Sequence, residues 1–584
     1  MKSNFNKYPS VQLRKTDDEC LVGWEAISNQ LAKSTQGNKA NKNILIIDCY
    51  QGTLENEILD EISNYLVPDH IFLSTSTMLN ETNIREFTQQ DVTNDRVFGY
   101  LTRLNLEQFF DEDKIASVKK QISNIEHGTI LIFGIGAALL TDESHTLVYA
   151  DMARWEIQLR MRRNEVNNLG INNRTDKFEE QYKRGYFVDW RVCDRHKKKY
   201  INKWDYVLDT NDPDQPKMVS GKIIREGLSQ TAHQPISVVP YFDAGPWGGQ
   251  WMKEICGLDQ DAENYAWCFN CVPEENSLLL AFGDVKFELP SINVVFYEPV
   301  NLLGEAVYGR FGDEFPIRFD FLDTMGGGNL SLQVHPTTEY IQEKFGLHYT
   351  QDESYYMLDT KEDAVVYLGL KENVDGDSMI SDLKKSQANN NKFPDEKYVE
   401  KWHAKKHDHF LIPAGTVHCS GSNGMVLEIS STPYIFTFKL WDWGRLGLDG
   451  KPRPINIEHG ENVIQWDRTK KWTKENLINK VEPYEAGNGW ESEKTGLHER
   501  EFIETHRHWF TKSVYHKKEK SVQVFNVIEG REIIVKSPTN YFEPMIFHYA
   551  ETFIIPVAAG DIIISPHGES VEQKCGTIKA FVRT

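Results

Sequence analysis

Asn329-Leu330-Ser331-Leu332-Gln333-Val334-His335-Pro336 is the stretch on which the reading of the fold turns. Taken as a strand, it places Gln333 and His335 on one face and Leu332 and Val334 on the other, because side chains alternate across a strand. Glu353 follows within Gln351-Asp352-Glu353-Ser354-Tyr355-Tyr356. Further on, Ile412-Pro413-Ala414-Gly415-Thr416-Val417-His418 reads as a strand, a Pro/Gly turn and a histidine. An oxygen-donating amide, a carboxylate and two imidazoles can hold a zinc ion and leave coordination positions open, as catalytic zinc sites do.

Short strands with turn residues between them surround this segment from about Gln234 onward. They include Ser277 to Phe282, Ile317 to Leu322, Tyr355 to Leu358, Val365 to Leu368, His409 to Ile412 and Met425 to Ile429. Such spacing predicts an all-β sandwich or barrel. The polar stretch Asp375 to Glu400, with Asp-Gly-Asp and Asn-Asn-Asn, reads as an inserted surface helix or loop. From Trp509 the strand grammar repeats through Ser521 to Val527, Glu532 to Val535, Glu551 to Ile555 and Asp561 to Ile564, a second β unit. Cys268 and Cys271 have CxxC spacing without a second pair and read as small strand residues.

The ordered motifs resemble those of the type I mannose-6-phosphate isomerases, zinc enzymes of the cupin superfamily. The resemblance rests on Gln-Val-His-Pro after Leu-Ser-Leu, Glu353, and Ile-Pro-Ala-Gly-Thr-Val-His before Val426-Leu427-Glu428. Gly245-Pro246-Trp247-Gly248-Gly249, Gly312-Asp313-Glu314-Phe315-Pro316 and Leu440-Trp441-Asp442-Trp443 extend it from about Gln234 to Thr584. It implies a cupin jelly roll with a helical insertion near 375–400, then a smaller cupin-like domain. It also implies Zn2+ held by Gln333, His335, Glu353 and His418. The implied reaction interconverts mannose 6-phosphate and fructose 6-phosphate: a proton leaves C2, a cis-enediol forms, and the proton returns at C1. Catalytic roles then fall to Glu428 as general base and to Lys439 and Arg445, with Ser331 and Arg318 contacting substrate.

Departures from the family's pattern bear on the substrate. A lysine usual two residues before the glutamate ligand is Gln351 here, and a second is replaced by Asp320, although Arg318 lies two residues away. The family's active-site arginine falls at or within one residue of Lys439, and one residue of register on a strand changes the face. Lysine offers a point charge where arginine can grip phosphate bidentately. Two alternatives therefore stay open: an isomerase or epimerase of another sugar or sugar phosphate, and a non-catalytic sugar-phosphate sensor.

Residues 1–233 read differently. Apolar strands Asn43 to Cys49, Ile71 to Leu73 and Thr129 to Gly134 alternate with helical stretches Glu55 to Leu66 and Tyr149 to Asn168, an α/β pattern on a parallel sheet. The order resembles uridine-kinase-like P-loop proteins, but Ile44-Leu45-Ile46-Ile47-Asp48-Cys49-Tyr50-Gln51-Gly52-Thr53 lacks the Gly-x-x-x-x-Gly-Lys-Ser/Thr loop. A kinase-like domain without a working phosphate loop is expected. Its arginines, Arg154, Arg160, Arg162, Arg163 and Arg184, would either bind an anion or sit on a solvated helix balanced by Glu156 and Glu165. Gly134-Ile135-Gly136 lacks the third glycine of a dinucleotide fingerprint.

The expected division is thus 1–233, 234–500 and 501–584. The 584 residues carry 65 basic and 86 acidic side chains, a net charge of -21, which disfavours nucleic acid or anionic membrane as a partner of the whole surface. Mean hydropathy is -0.52, and no apolar run approaches the roughly 20 residues of a membrane span. A polar start, Met1 to Asp18, and eight scattered cysteines point to the cytoplasm.

Overall fold

Ile44-Leu45-Ile46-Ile47 is apolar without alternation, as expected of a strand covered on both faces. In the computed structural model it lies within β1 (Lys42–Cys49), the centre of a sheet, with its last six residues buried. The structure describes residues 3–13, 19–36, 42–143, 145–389, 391–433, 435–446, 453, 455–496 and 501–584. They form two units, one of Ser10–Thr231 with Glu274–Tyr297, the other of Met1–Pro9, Ala232–Pro273 and Glu298–Thr584.

In the first unit, β2 (His70–Leu73), β3 (Gly128–Gly134), β4 (Thr146–Asp151) and β5 (Tyr206–Asp209) pair in parallel with β1 in the order β2-β3-β1-β4-β5. Lys217–Ser220 and Leu21–Val22 add antiparallel strands beyond β5. The expectation that Tyr149 to Asn168 is one helix is corrected: Tyr149 to Asp151 end β4, and the helix is α2 (Arg154–Arg162). The spacing at three and four misled there because Leu147 to Ala150 are all buried in the sheet, and a strand covered on both faces shows no alternation to mark it.

The loop from β1 into α1 (Glu55–Leu66) is closed upon α2. Arg160, 1% exposed, donates to the carbonyls of Gly52 (2.9 Å) and Thr210 (2.6 Å). Gly52 has φ +97°, and a Cβ there would stand 2.8 Å from the Ile157 side chain. Behind the loop, the Arg154 guanidinium pairs with Asp194 (3.2 Å), Lys197 with Asp151 (2.7 Å), and His196 Nε2 donates to Asp48 (2.8 Å), all buried. Neither alternative for the arginine stretch describes it as a whole. Arg154, Arg160 and Arg184 are buried in internal pairs, whereas Arg163, bound to Glu156 and Glu165, makes an exposed charge network and Arg162 lies over the Phe178 ring.

Ser277–Phe282, read from sequence among the strands of the second half, belongs to the first unit. It pairs in parallel with Val11–Gln12 and antiparallel with Val285–Pro290. The amide of Glu288 donates to Asp209 (2.9 Å) and the Asn293 amide to Asp151 (2.7 Å), so the excursion satisfies carboxylates at the ends of β5 and β4.

The second unit is built from antiparallel sheets. One, of six strands, runs β9 (His409–Ile412), β8 (Glu353–Thr360), β11 (Gly424–Ser431), β6 (Ile317–Asp323), Trp267–Cys271 and Tyr241–Asp243. Another, of five, runs Val399–His403, Val365–Leu370, β10 (His418–Ser420), β7 (Leu332–Val334) and β12 (Phe438–Trp441). Side chains from both meet between them, the two-sheet arrangement expected of a cupin. Cys268 and Cys271 are buried on their strand and form no disulfide, and Gly376–Asn389 is a helix within the expected insertion.

A further pair of sheets completes this unit. Glu482–Gly487, Trp490–Lys494, β13 (Ile503–Phe510), β16 (Cys575–Val582), β15 (Gln523–Glu529) and Thr552–Ile555 form one. The other is β14 (Val514–His516), Ile562–Pro566, Glu532–Lys536 and Met545–His548. Its strands begin at Glu482 rather than at 501.

Burial, reinforced by Asp48, pushes the Glu55 carboxyl at the start of α1 up from 4.5 to about 7. Because the folded value lies above the ordinary one, the cost of ionising it is absent below pH 4.5, grows as pH rises to about 7, and is complete above. Glu55→Gln is therefore expected to stabilise the fold at pH 8 by about 1–3 kcal/mol and to leave it nearly unchanged at pH 4.5. Denaturant unfolding at both values checks this; an equal effect at both would contradict it.

Candidate metal centre

Register across the five-stranded sheet brings the predicted ligands into line. Gln333 pairs with His418 on one side and Lys439 on the other, and His418 pairs with Leu368. Paired residues in antiparallel strands share a face, so Gln333, His418 and Lys439 project together. In the six-stranded sheet, Glu353 and Arg318 both pair with Ser430, while Tyr355 and Asp320 both pair with Glu428. These two polar rows occupy one face.

Between the sheets, His335 Nε2 lies 3.0 Å and His418 Nε2 2.8 Å from the two oxygens of Glu353, with all three side chains 0% exposed. One ligand atom from each falls within 4.8 Å of the others, and this is the one such group of three or more among the described residues. The far nitrogens are anchored: His335 Nδ1 to the carbonyl of Phe436 (2.9 Å) and His418 Nδ1 to that of Thr416 (2.8 Å). An Nδ1–H donated to a carbonyl leaves the Nε2 lone pair free for a metal, the usual orientation of ligating histidines. The Gln333 amide nitrogen is 3.2 Å from His418 Nε2, and turning the amide over presents its oxygen at the same place. Burial alone would raise the Glu353 carboxyl, but the two facing histidines hold it well below the usual carboxylate range. Two imidazoles, a carboxylate and an amide oxygen suit a borderline cation such as zinc.

The turn before His418 sets the geometry. Gly415 has φ +87°, and a Cβ there would meet Gln465 Cγ at 2.6 Å and the Val463 carbonyl at 2.8 Å. Its amide donates to the His335 carbonyl (2.9 Å), tying one ligand's backbone to the turn that carries the other. Arg468 donates to the carbonyls of Pro413 and Ala414, both at 2.7 Å.

The remaining predicted residues fall into two groups. Arg318 binds Glu428 and lies 3.3 Å from Asp320, and Ser430 donates to Glu428 (3.0 Å). The base candidate and one anion candidate thus neutralise each other. Gln351 donates to Glu353 (3.1 Å) from a buried position, a neutral amide on the ligand carboxylate. Burial pushes Asp320 up to about 7, with Arg318 opposing and Glu353 adding. In the second group, Ser331 donates to Asp442 (2.7 Å), while Arg445 (2.5 Å) and Arg453 (3.0 Å) pair with the same carboxylate. Burial first, then Arg453 and Arg445 against Asp442, lowers Lys439 to about 8. Sequence reading missed Asp442 as the hub and Arg453 altogether. Asp442 lay inside a quoted motif, but Arg453 sits in a stretch with no periodicity to place it.

Residues 23–233 match the model of a family described as a domain of unknown function (DUF8485). Mannose-6-phosphate isomerase ManA of Bacillus subtilis is 22% identical over 232 residues, 40% of this chain and 68% of that protein. The mannose-6-phosphate isomerase of Streptococcus mutans is 24% identical over 220 residues, 37% of this chain and 64% of that protein. A crystal structure of the mannose 6-phosphate isomerase from Bacillus subtilis aligns at 19% identity and a TM-score of 0.49, covering 59% of this chain and 99% of that one. The similarity is distant and leaves a large part of the chain outside it. No helix among the described residues is long and apolar enough to cross a membrane.

If His335, Glu353 and His418 hold a divalent ion, His418→Ala should lower the metal content found by elemental analysis of the purified protein. Gly415→Ala, which leaves every ligand in place, is expected to weaken metal affinity by about 10- to 100-fold, the range for groups that orient ligands. Unaltered metal content in His418→Ala would show the ligand set to be wrong.

Proposed function

We propose that this chain is a zinc-dependent aldose–ketose isomerase interconverting mannose 6-phosphate and fructose 6-phosphate. The observation that carries this reading is Glu353, buried between two histidines whose outer nitrogens are tied to backbone carbonyls. The distant similarity to curated mannose-6-phosphate isomerases supplies the substrate class. Gln333, His335, Glu353 and His418 would hold the zinc, which when bound supplies Lewis acidity toward the sugar carbonyl and the charge that develops during proton transfer.

The chain's own residues do the rest. Glu428 takes the proton from C2, a cis-enediol follows, and the proton is returned at C1. Its contacts with Arg318 and Ser430 fix the position of the carboxylate. Asp320, paired with it across the sheet and pushed up to about 7, is a second group able to hold a proton near neutral pH. Lys439, Arg445 and Arg453 would receive the phosphate, and Ser331 the sugar, around Asp442. Three cations against one carboxylate leave net positive charge for an anion.

A different sugar or sugar phosphate is the second reading, favoured by the neutral Gln351 on Glu353 and by Asp320 in place of a cation. A sensor without turnover shares the same pocket. The first unit is read as a scaffold without a working phosphate loop, since Ile157 and Arg160 close the loop after β1. A cytoplasmic setting agrees with eight cysteines that form no disulfide.

Purified protein supplied with zinc should convert mannose 6-phosphate to fructose 6-phosphate and lose activity on chelation. Absence of product with zinc restored would exclude this reading and leave an isomerase of another sugar and the sensor. Lys439→Ala is expected to raise KM about 10- to 100-fold with a smaller change in kcat, as for loss of a charge-assisted contact made equally in ground and transition states. Glu428→Gln should lower kcat by about 10²–10⁴ with zinc content intact.

A further inference from the structure

The interior of the C-terminal sandwich is apolar at one end and polar at the other. Phe510, Val514, Phe525, Val527, Ile562 and Cys575 belong to its buried apolar core. Residues two apart on a strand share a face, so His508 on β13, His516 on β14, Gln523 on β15 and Thr577 and Lys579 on β16 point inward as well. Register places them together: Thr577 is paired with His508 and Val527, and Lys579 with His506 and Phe525.

All five are nine-tenths or more buried: Thr577 0%, Gln523 4%, His508 5%, Lys579 5% and His516 7% exposed. His508 Nδ1, His516 Nε2, Gln523 Oε1 and Thr577 Oγ1 are buried without a hydrogen-bond partner. Four such atoms in one sandwich are costly unless a ligand or ordered water satisfies them. The His508 and His516 rings are 4.7 Å apart. Burial is the main cause that pushes His516 down to about 3 and His508 well below its ordinary value, with Lys579 and His506 adding. Neutral imidazoles each offer one donor and one acceptor. Lys579 reaches toward Glu519 (3.4 Å), whose side chain is 41% exposed, so the polar end lies toward the surface.

We propose that His508, His516, Gln523, Thr577 and Lys579 form a second ligand site, independent of the metal centre, that takes a small polyhydroxy compound such as a monosaccharide or sugar alcohol. Hydroxyl groups both donate and accept, which matches the mixed set of unpaired atoms. A simple anion only accepts, and a metal cation would face the Lys579 charge. Phe525 and Phe581 pack edge to face on His516 (5.4 Å) and His506 (5.1 Å) and hold the imidazoles in place. Lys579 at the mouth could take an anionic substituent.

The test uses full-length protein stripped of metal by chelation, with His418→Ala as a parallel sample, and titrates D-mannitol, D-mannose 6-phosphate and inorganic phosphate by calorimetry and thermal unfolding. D-mannitol and D-mannose 6-phosphate should still bind and raise Tm. Thr577→Val and Gln523→Leu, checked for unchanged Tm without ligand, should each weaken that binding by about fivefold or more, the loss of one hydrogen bond. Failure of both sugar probes to bind metal-free protein would overturn the site, as would binding that neither substitution weakens. Phosphate binding without mannitol binding would make it an anion site and overturn the polyhydroxy assignment. A crystal structure grown with mannitol that shows ordered water alone among these side chains would do the same. None of these outcomes bears on turnover at the metal centre.

Discussion

The two facing sheets that carry the candidate site are arranged around a carboxylate that cannot be left alone. Glu353 is 0% exposed between two sheets, and an ionised group so placed costs several kcal/mol unless it is paired and hydrogen-bonded. His335 and His418 supply the pairing, Gln351 a hydrogen bond, and the carbonyls of Phe436 and Thr416 hold the imidazoles at the correct angle. That chain of contacts links β7, β8, β10 and the segment before β12. A divalent cation would take the same atoms as its ligand set.

Charge is distributed against the overall balance. A chain of net charge -21 would repel a phosphorylated sugar at long range, but at physiological ionic strength fields fade over about 8 Å. Local composition then decides. Lys439, Arg445 and Arg453 outnumber Asp442 at one end of the candidate site, whereas Arg318 is matched by Glu428 and Asp320 at the other. One end of the pocket suits an anion and the other suits proton transfer, a separation that a count of basic residues could not reveal.

Much of this was legible in the chain. Strand boundaries such as His409–Ile412 followed from alternation, because period two on a strand fixes which side chains share a face, while the ligand quartet was what the resemblance to the isomerase motifs implied. The one-residue ambiguity at Lys439 could be settled only by pairing with Gln333, a long-range register that no local pattern carries. The capture of Arg318 by Glu428 was hidden for a similar reason, since the partners are far apart in sequence and were each considered alone. Tyr149 to Asp151 were taken for helix because a strand buried on both faces loses its signature. Ser277–Phe282 was recognised as a strand but placed in the wrong sheet, since alternation names an element and not its neighbours.

The excursion at 274–297 has a consequence for how the chain is made. The first unit lacks a hairpin and two carboxylate partners until residues well beyond Thr231 have been synthesised. By then, part of the second unit has already left the ribosome. Folding therefore cannot proceed as two successive beads on a string, the ordinary course for multidomain chains. The earlier sheet must wait half-finished, with Asp151 and Asp209 short of partners. A cut at 233 would yield two fragments that each miss a piece of themselves. The two units are bound to a common fate in biogenesis by the path of the backbone itself.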